Sequence, residues 1–435
     1  MKILKFGGTS VGSASRIKKL VSLINDNQSK IIVLSAISGT TNELVRFSNL
    51  INQNEYQSAQ ECSQNLKRKY IELIDELFSS NEYKTKGEEI INHHFSFIDS
   101  YNFKALNLFK EKTILAQGEI LSTTLFQHYL TECKIESVLL SALNFMRIDE
   151  NGEPKQAYIE EMLSKELSQY QNQTIFITQG FICRNSFGEI DNLKRGGSDY
   201  TATLIGAAIK AEEVQIWTDI DGMHNNDPRI VENTKPIENL SYDEAAELAY
   251  FGAKILHPSS VQPAKEKGIP ILLKNTLEPQ KKGSKISGQT QGSGVKAIAS
   301  KDNITAIKIK SDKMLMAYGF IRKVFEVFES YKTPIDMITT SEVSVSVTID
   351  KTDSLIQIVK ELKNYGEVEV DENLSIVCVV GNFISESKGY AHTIFQSLKD
   401  IPIRMISYGG SKHNISVLVK TEHKNQCQLL LNEIV

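Results

Sequence analysis

The opening of this chain constrains its fold more than any other segment. Within Lys2 to Gly12 a short apolar strand runs directly into Lys5-Phe6-Gly7-Gly8-Thr9-Ser10. Two glycines straight after a strand let the backbone turn sharply and bring N–H groups against an anion with no Cβ in the way. Thr9, Ser10 and Ser13 then offer hydroxyl caps to a helix expected over residues 14–25, whose dipole and free N–H groups favour negative charge at the same point. Lys5 adds a full positive charge. In the phosphate loop of the common nucleotide hydrolases a lysine follows the glycines, and no Gly-Lys-Ser/Thr occurs here. Taken alone, a Gly-Gly pair is also what an ordinary turn looks like.

The pattern recurs. Lys194-Arg195-Gly196-Gly197-Ser198-Asp199 precedes a helix expected over residues 201–210, and Thr218-Asp219-Ile220-Asp221-Gly222-Met223 follows a strand at residues 214–217. Further apolar strands are expected at residues 31–36, 138–140, 174–178 and 271–273, alternating with helical stretches. This is the signature of an open α/β sheet with helices on both faces, in which ligands bind at the carboxyl ends of the strands. Between about residues 42 and 117 the strands vanish and apolar residues recur at helical spacing, as over residues 62–78. Gln117-Gly118-Glu119 is expected to restart a helix. Glycine, serine and glutamine gather over residues 283–294, which reads as a linker, and Gly292-Ser293-Gly294 inside it is no dinucleotide fingerprint because no strand is expected before it.

Composition narrows the partners. A net charge of −4 with lysines spread along 435 residues offers no basic stripe, so no nucleic-acid partner is expected. No apolar run approaches the roughly 20 residues that span a bilayer, and Gly7-Gly8 interrupts any signal-like segment, so a cytoplasmic chain without membrane contact is expected. Five isolated cysteines, Cys62, Cys133, Cys183, Cys378 and Cys427, show no metal spacing and leave one over if paired. They read as reduced thiols, and no protein metal-ligand set is found; His257, followed by Pro258, reads as structural.

Beyond the linker the chain repeats. Gly319-Phe320, Val324-Phe325, Asp336-Met337-Ile338 and Ser346-Val347 are echoed by Gly389-Tyr390, Ile394-Phe395, Arg404-Met405-Ile406 and Ser416-Val417, a period of about 70 residues. Each unit reads as a small ferredoxin-like α+β module.

Lys5 to Ser10, Gly180-Phe181-Ile182, Arg195 to Ala202, Thr218 to Arg229 and Phe251-Gly252-Ala253-Lys254-Ile255-Leu256-His257-Pro258 resemble the successive signatures of aspartokinase, in family order. Gly319 to Val345 and Gly389 to Ile406 resemble that family's paired ACT modules. The resemblance covers nearly the whole chain. It implies an amino-acid-kinase-like, mostly parallel sheet sandwiched by helices over residues 1–290, and ACT modules at 297–370 and 371–435. The two modules are expected to interleave, with a short strand near residues 296–299 pairing with the second. Because the chain stops soon after the second repeat, a monofunctional enzyme is expected.

The activity so implied is ATP-dependent phosphorylation of the L-aspartate side-chain carboxylate, the step committed to lysine, threonine and methionine. A carboxylate acceptor, with an unperturbed pKa of about 3.9, is already ionised at neutral pH and needs no general base. This suits a chain offering cations and glycine loops but no nucleophile with a histidine partner. By resemblance, Lys5 and Asp199 are catalytic, and Thr41, Glu119, Arg195 and Ser198 hold aspartate, with Arg195 on its α-carboxylate and Glu119 on its ammonium. Lys5, Phe6, Gly7, Gly8, Thr218, Asp219, His224, Asp227, Arg229, Lys254 and Ile255 would bind ATP, with Mg²⁺ held mainly by phosphate oxygens and water. His224 stands where the family usually has tyrosine, Lys194 where it has glycine, and Ile190-Asp191-Asn192 where it has a threonine-rich stretch.

The ACT modules imply a homodimer or larger homo-oligomer and an effector amino acid near Met314, Phe320, Ile321, Asp336, Thr340, Ser341 and Glu342. Carboxylates there favour lysine, while Ala317 and Pro334 replace hydroxyl residues common in lysine-sensitive relatives. Two other readings remain: a related kinase for glutamate, acetylglutamate or a nucleoside monophosphate, which would typically lack the Ser341-Glu342-Val343-Ser344 type of ACT pair, and a non-catalytic sensor, against which Lys5, Arg195, Asp199 and Lys254 argue together.

Overall fold

The computed structural model describes residues 1–26, 28–104, 106–193, 196–252, 256–288, 294–311 and 318–435. In chain order the first elements are β1 (Lys2–Phe6), α1 (Ala14–Ile24), β2 (Lys30–Leu34), α2 (Thr40–Asn52), α3 (Tyr56–Leu77), α4 (Asn81–Asp99) and α5 (Leu108–Glu132). Then follow β3 (Val138–Leu140), α6 (Ala142–Phe145), α7 (Gln156–Ser168), β4 (Ile175–Gln179), β5 (Ile182–Arg184), β6 (Ile190–Asn192), α8 (Gly197–Ile209) and β7 (Val214–Thr218). Next come β8 (Asn239–Ser241), α9 (Tyr242–Tyr250), α10 (Gln262–Lys267), β9 (Ile271–Asn275) and β10 (Ser284–Ser287). The remainder is β11 (Gly294–Lys310), α11 (Phe320–Ser330), β12 (Ile338–Thr340), β13 (Ser344–Ile349), α12 (Leu355–Leu362), β14 (Glu367–Asn382), α13 (Tyr390–Ser397), β15 (Met405–Tyr408), β16 (Asn414–Lys420) and α14 (Lys424–Asn432).

The chain divides into two compact units. The first comprises Met1–Met223, Glu238–Tyr242 and Ile255–Gln289; the second comprises His224–Ile237, Asp243–Lys254 and Thr290–Val435. Two short segments lying within residues 1–290 of the sequence thus group with the C-terminal part.

In the first unit an eight-stranded sheet has the order β3-β4-β2-β1-β7-β9-β10-β8. Its pairings are parallel except that of β9 with β10. Strands β2 and β4 are buried along their whole length, which is why they read as continuous apolar runs. Only Ser13 of the three expected hydroxyls caps α1, accepting from the Arg16 N–H. Ser10 instead shares a 2.8 Å hydrogen bond with Thr276 after β9.

Three sequence expectations are corrected here. Gln117-Gly118-Glu119 does not restart a helix but lies in the middle of the 25-residue α5. Gly118 breaks the apolar pattern because it is a packing glycine: a Cβ there would stand 2.9 Å from the Ala36 Cβ. Helix α8 begins at Gly197 rather than Thr201, so the glycine pair enters the helix itself, with Gly196 as its N-cap at φ +78°. The expected linker is in part a strand, since Ser284–Ser287 pairs with both β9 and β8. Its polar composition concealed that Ser284 and Ile286 are fully buried.

In the second unit, one six-stranded antiparallel sheet runs β12-β13-β11-β14-β16-β15. The expected interleaving is present, carried by a 17-residue β11 instead of a separate short strand. β14 pairs with it along its length, from Ala297 opposite Val380 to Lys310 opposite Glu367, and β13 pairs with its second half on the other edge, starting with Thr305 opposite Ile349. One core gathers Ile307, Val324, Val345 and Ile358, the other Ile298, Val377, Ile394, Val417 and Leu431. The two modules therefore share one continuous sheet.

Candidate active site

The carboxyl ends of β1, β2, β4 and β7 bring the first unit's site residues together. Strand β1 lies between β2 and β7, and the chain winds away from it in both directions, the arrangement that opens a crevice at the strand ends. The turn after β1 is fixed from both sides: the Gly7 N–H donates to the Trp217 carbonyl at 3.3 Å, and the Ser38 N–H donates to the Gly8 carbonyl at 3.2 Å. Glycine is required at position 8, where a Cβ would meet the Ala36 carbonyl oxygen at 2.8 Å. At Gly7 a Cβ would stand 3.4 Å from Lys5 Nζ, so the glycine leaves the ammonium uncovered.

Lys5, near the end of β1, ion-pairs with Asp199 in the first turn of α8, Nζ to Oδ1 at 2.6 Å. Only about a tenth of either side chain is exposed, 11% and 12%. The α8 start is held by close packing. A Cβ on Gly180 would meet Ser198 Oγ at 2.5 Å, one on Gly196 would meet His257 Cβ at 2.3 Å, and the Phe181 N–H donates to Thr201 Oγ1 at 2.9 Å. His257 caps the 3₁₀ turn Pro258–Ser260 by accepting from the Ser259 N–H, the structural part expected of it.

On the β2 side, Glu119 projects from mid-α5 and is 3% exposed. One carboxylate oxygen accepts from the Ala36 N–H at 3.3 Å, and the other is buried with no hydrogen-bond partner. Burial pushes this carboxyl up to about 8 from 4.5, against the lowering effect of the Ala36 N–H. Thr41 is half-buried in the first turn of α2. Its neighbour Thr40 is buried and shares a 2.9 Å hydrogen bond with Tyr70, whose phenol is pushed up by burial and, secondarily, by Glu119. The Ala36 N–H, Thr40 and Tyr70 escaped sequence reasoning; Gly118, the glycine inside an apolar helix, was the one signal of close packing beside Glu119.

The expected ATP set falls in two places. Phe6 is fully buried and stacks on Trp217 at 5.8 Å, leaving only its main chain for a ligand. Thr218 ends β7 and donates to Asp219 at 3.2 Å. His224, Asp227 and Arg229 belong to the second unit, where His224 Nδ1 meets Thr234 Oγ1 at 2.8 Å. There Arg229 grips Asp227 through two side-chain hydrogen bonds, which with its backbone N–H hold the Asp227 carboxyl below its usual range. Arg195, Lys254, Ile255 and Met314 lie outside the described residues, as do Lys194 and Ala317. Among the described residues no group of three or more His, Cys, Asp or Glu side chains is arranged to hold a metal ion.

The expected effector residues also separate. Phe320 belongs to a core, whereas Ile321, Thr340, Ser341 and Glu342 are exposed. Asp336 is paired: Lys301 and Tyr250 both contact its Oδ1. All five cysteines are free thiols. No helix among the described residues is long and apolar enough to cross a membrane.

Comparison with known proteins gives this geometry its class. Residues 1–275 match the amino acid kinase family, and residues 377–433 match an ACT domain. The chain is 32% identical to lysine-sensitive aspartokinase 3 of Escherichia coli over 98% of its own length and 96% of that protein. The crystal structure of E. coli aspartokinase III in complex with aspartate and ADP superposes with a TM-score of 0.87 at 32% identity, covering 100% of this chain and 99% of that one. The same enzyme with lysine and aspartate gives 0.81, also at 32% identity and the same coverage. The chain belongs to the aspartokinase family.

Proposed function

We propose that this enzyme transfers the γ-phosphoryl group of ATP to the side-chain carboxylate of L-aspartate, releasing ADP and 4-phospho-L-aspartate. The observation that carries the reading is the Lys5–Asp199 ion pair beside the Gly7-Gly8 turn, with the buried Glu119 carboxyl of α5 bonded to the Ala36 N–H just after β2. The acceptor carboxylate is an ionised nucleophile and no proton need be removed. The protein's work is then alignment and charge compensation.

In this reading Lys5 neutralises charge that develops as the phosphoryl group passes, and Asp199 fixes the lysine's direction. Glu119 receives the substrate ammonium, Arg195 the α-carboxylate, and Ser198 and Thr41 complete the pocket. Gly7 and Gly8 admit the phosphates, and Thr218 and Asp219 belong to the nucleotide side together with His224, Asp227, Arg229, Lys254 and Ile255. A Cβ at Gly7 would stand 3.4 Å from the Lys5 ammonium and one at Gly8 would strike the Ala36 carbonyl, so the tight glycine turn beside that cation supports a phosphate chain there. Mg²⁺ would be carried by the phosphate oxygens and supply further charge neutralisation.

E. coli aspartokinase III, to which this chain is similar along its whole length, has been crystallised with aspartate and ADP and with lysine and aspartate. These complexes support both the substrates and feedback by an end-product amino acid, with lysine the leading effector. Residues 1–290 would be catalytic, and 297–370 and 371–435 regulatory, joining copies into a homo-oligomer in the cytoplasm. The test is hydroxylamine trapping of the acyl phosphate with aspartate and ATP, with and without lysine, threonine and methionine. Absence of hydroxamate with aspartate, or its appearance with glutamate instead, refutes the assignment.

A further inference from the structure

Lys301 stands at an irregularity of β11, just before β13 joins the strand's other edge at Thr305. It pairs with Ile376 of β14, and the register shifts between Lys301 and Ile304 and again between Ile304 and Ala306. Its Nζ lies 2.7 Å from Asp336 Oδ1 and 3.0 Å from Asp350 Oδ2. The same nitrogen sits 4.6 Å from the centroid of the Tyr250 ring, and the Tyr250 hydroxyl donates to Asp336 Oδ1 at 2.5 Å. These groups all belong to the second unit. The Asp336 side chain is 1% exposed, and Asp336 Oδ2 and Asp350 Oδ1 are buried without a hydrogen-bond partner.

Two carboxylates and an aromatic face around one nitrogen are chemistry that selects a primary ammonium. The walls carry two negative charges against the single positive charge of Lys301, so the cage is not saturated electrostatically. The Lys301 side chain is 19% exposed and sits at an irregularity of its strand, so it has a way out to solvent.

We propose that Asp336, Asp350 and Tyr250 form a primary-ammonium site whose resident occupant is Lys301, and that an amino-acid effector with a side-chain ammonium binds there by displacing it. The proposal rests on the reading of Asp336 as an effector-facing residue and changes what that residue offers: an exchange of cations instead of a free carboxylate. A tethered ammonium competes at high effective concentration. It weakens ammonium-bearing effectors and leaves uncharged ones untouched, which makes Lys301 a determinant of effector class.

The full chain carrying Lys301→Ala is titrated calorimetrically with lysine and with norleucine, its uncharged analogue. Removal of the competitor makes lysine bind at least about tenfold more tightly than to the wild type, the change equivalent to one charge-assisted contact, with norleucine unchanged. In parallel, n-propylammonium, which restores the deleted atoms, raises the melting temperature of Lys301→Ala and not of the wild type. Lys301→Arg, which keeps the charge, binds lysine no more tightly than the wild type. If Lys301→Ala does not fold, Lys301→Met carries the lysine and norleucine titrations. Lysine binding unchanged or weaker, with no n-propylammonium response, overturns the proposal while leaving any lysine inhibition of the wild type intact. Rescue by n-propylammonium without tighter lysine binding overturns the displacement and locates the failure in the effector reading of Asp336.

Discussion

Replacing Glu119 with glutamine tests the substrate pocket through its most perturbed group. Burial raises the Glu119 carboxyl from 4.5 to about 8 in the folded chain. Between these values the folded protein holds a proton that the unfolded chain has released, so stability is fully present below the unfolded pKa and is lost as pH rises to about 8. At about 1.4 kcal/mol per unit, the loss is on the order of 5 kcal/mol. Glutamine keeps the shape and cannot ionise. Urea or thermal midpoints of the unliganded wild type and Glu119→Gln should therefore nearly coincide close to pH 4.5 and separate steadily, the variant ahead, up to about pH 8. Aspartate should invert the ranking, because its ammonium stabilises the ionised carboxylate: wild-type binding releases a proton below pH 8, and its aspartate KM falls as pH rises towards that value. In Glu119→Gln the aspartate KM should be higher and lose this dependence, while the ATP KM changes little. Parallel stability curves from pH 5 to 8 would show that Glu119 is not held protonated, and a collapse of ATP affinity instead would put the pocket on the wrong side of the sheet.

Lys5→Ala should lower kcat by about 10²–10³ or more, the scale for a lost transition-state charge partner, with the fold checked by circular dichroism; near-normal turnover would remove Lys5 from the mechanism. Gly180→Ala places a Cβ 2.5 Å from Ser198 Oγ and should cost about 1–3 kcal/mol while raising the aspartate KM through displacement of the α8 start; a variant with unchanged melting temperature and KM would show that this contact relaxes freely. Asp336→Ala and Glu342→Ala should both weaken feedback inhibition. Only the first should also cost stability, about 2–3 kcal/mol, because Asp336 is buried and paired whereas Glu342 is exposed; titrations with lysine, threonine and methionine that match the wild type in both would move the effector site elsewhere.

Much of this architecture is legible without coordinates because its signals are local. Strands buried on both faces announce themselves as apolar runs, and each glycine pair sits where a close approach or a positive φ demands it, as Gly8 and Gly196 show. What was hidden depends on the partner surface. Gly118 looks like a helix break until the Ala36 side chain is seen against it. Ser284–Ser287 reads as linker because its burial comes from its neighbours in the sheet and not from its own hydropathy. Asp336 looks like a free ligand carboxylate, since nothing in the spacing of Tyr250, Lys301 and Asp350 tells that the fold brings them to one point.

The ion pair at the end of β1 also explains how a lysine is kept at a sheet end. Lys5 is compensated by Asp199, and Asp199 in turn lies in the first turn of α8, where the helix dipole favours an anion. The pair is therefore neutral as a whole, and in the proposed reading the start of α1, capped by Ser13, adds attraction for a polyanionic nucleotide without a formal charge. A bare lysine in that buried place would be costly to keep unpaired. Held by Asp199, its ammonium is aimed at one point, and in the proposed reading that point is where charge moves during transfer.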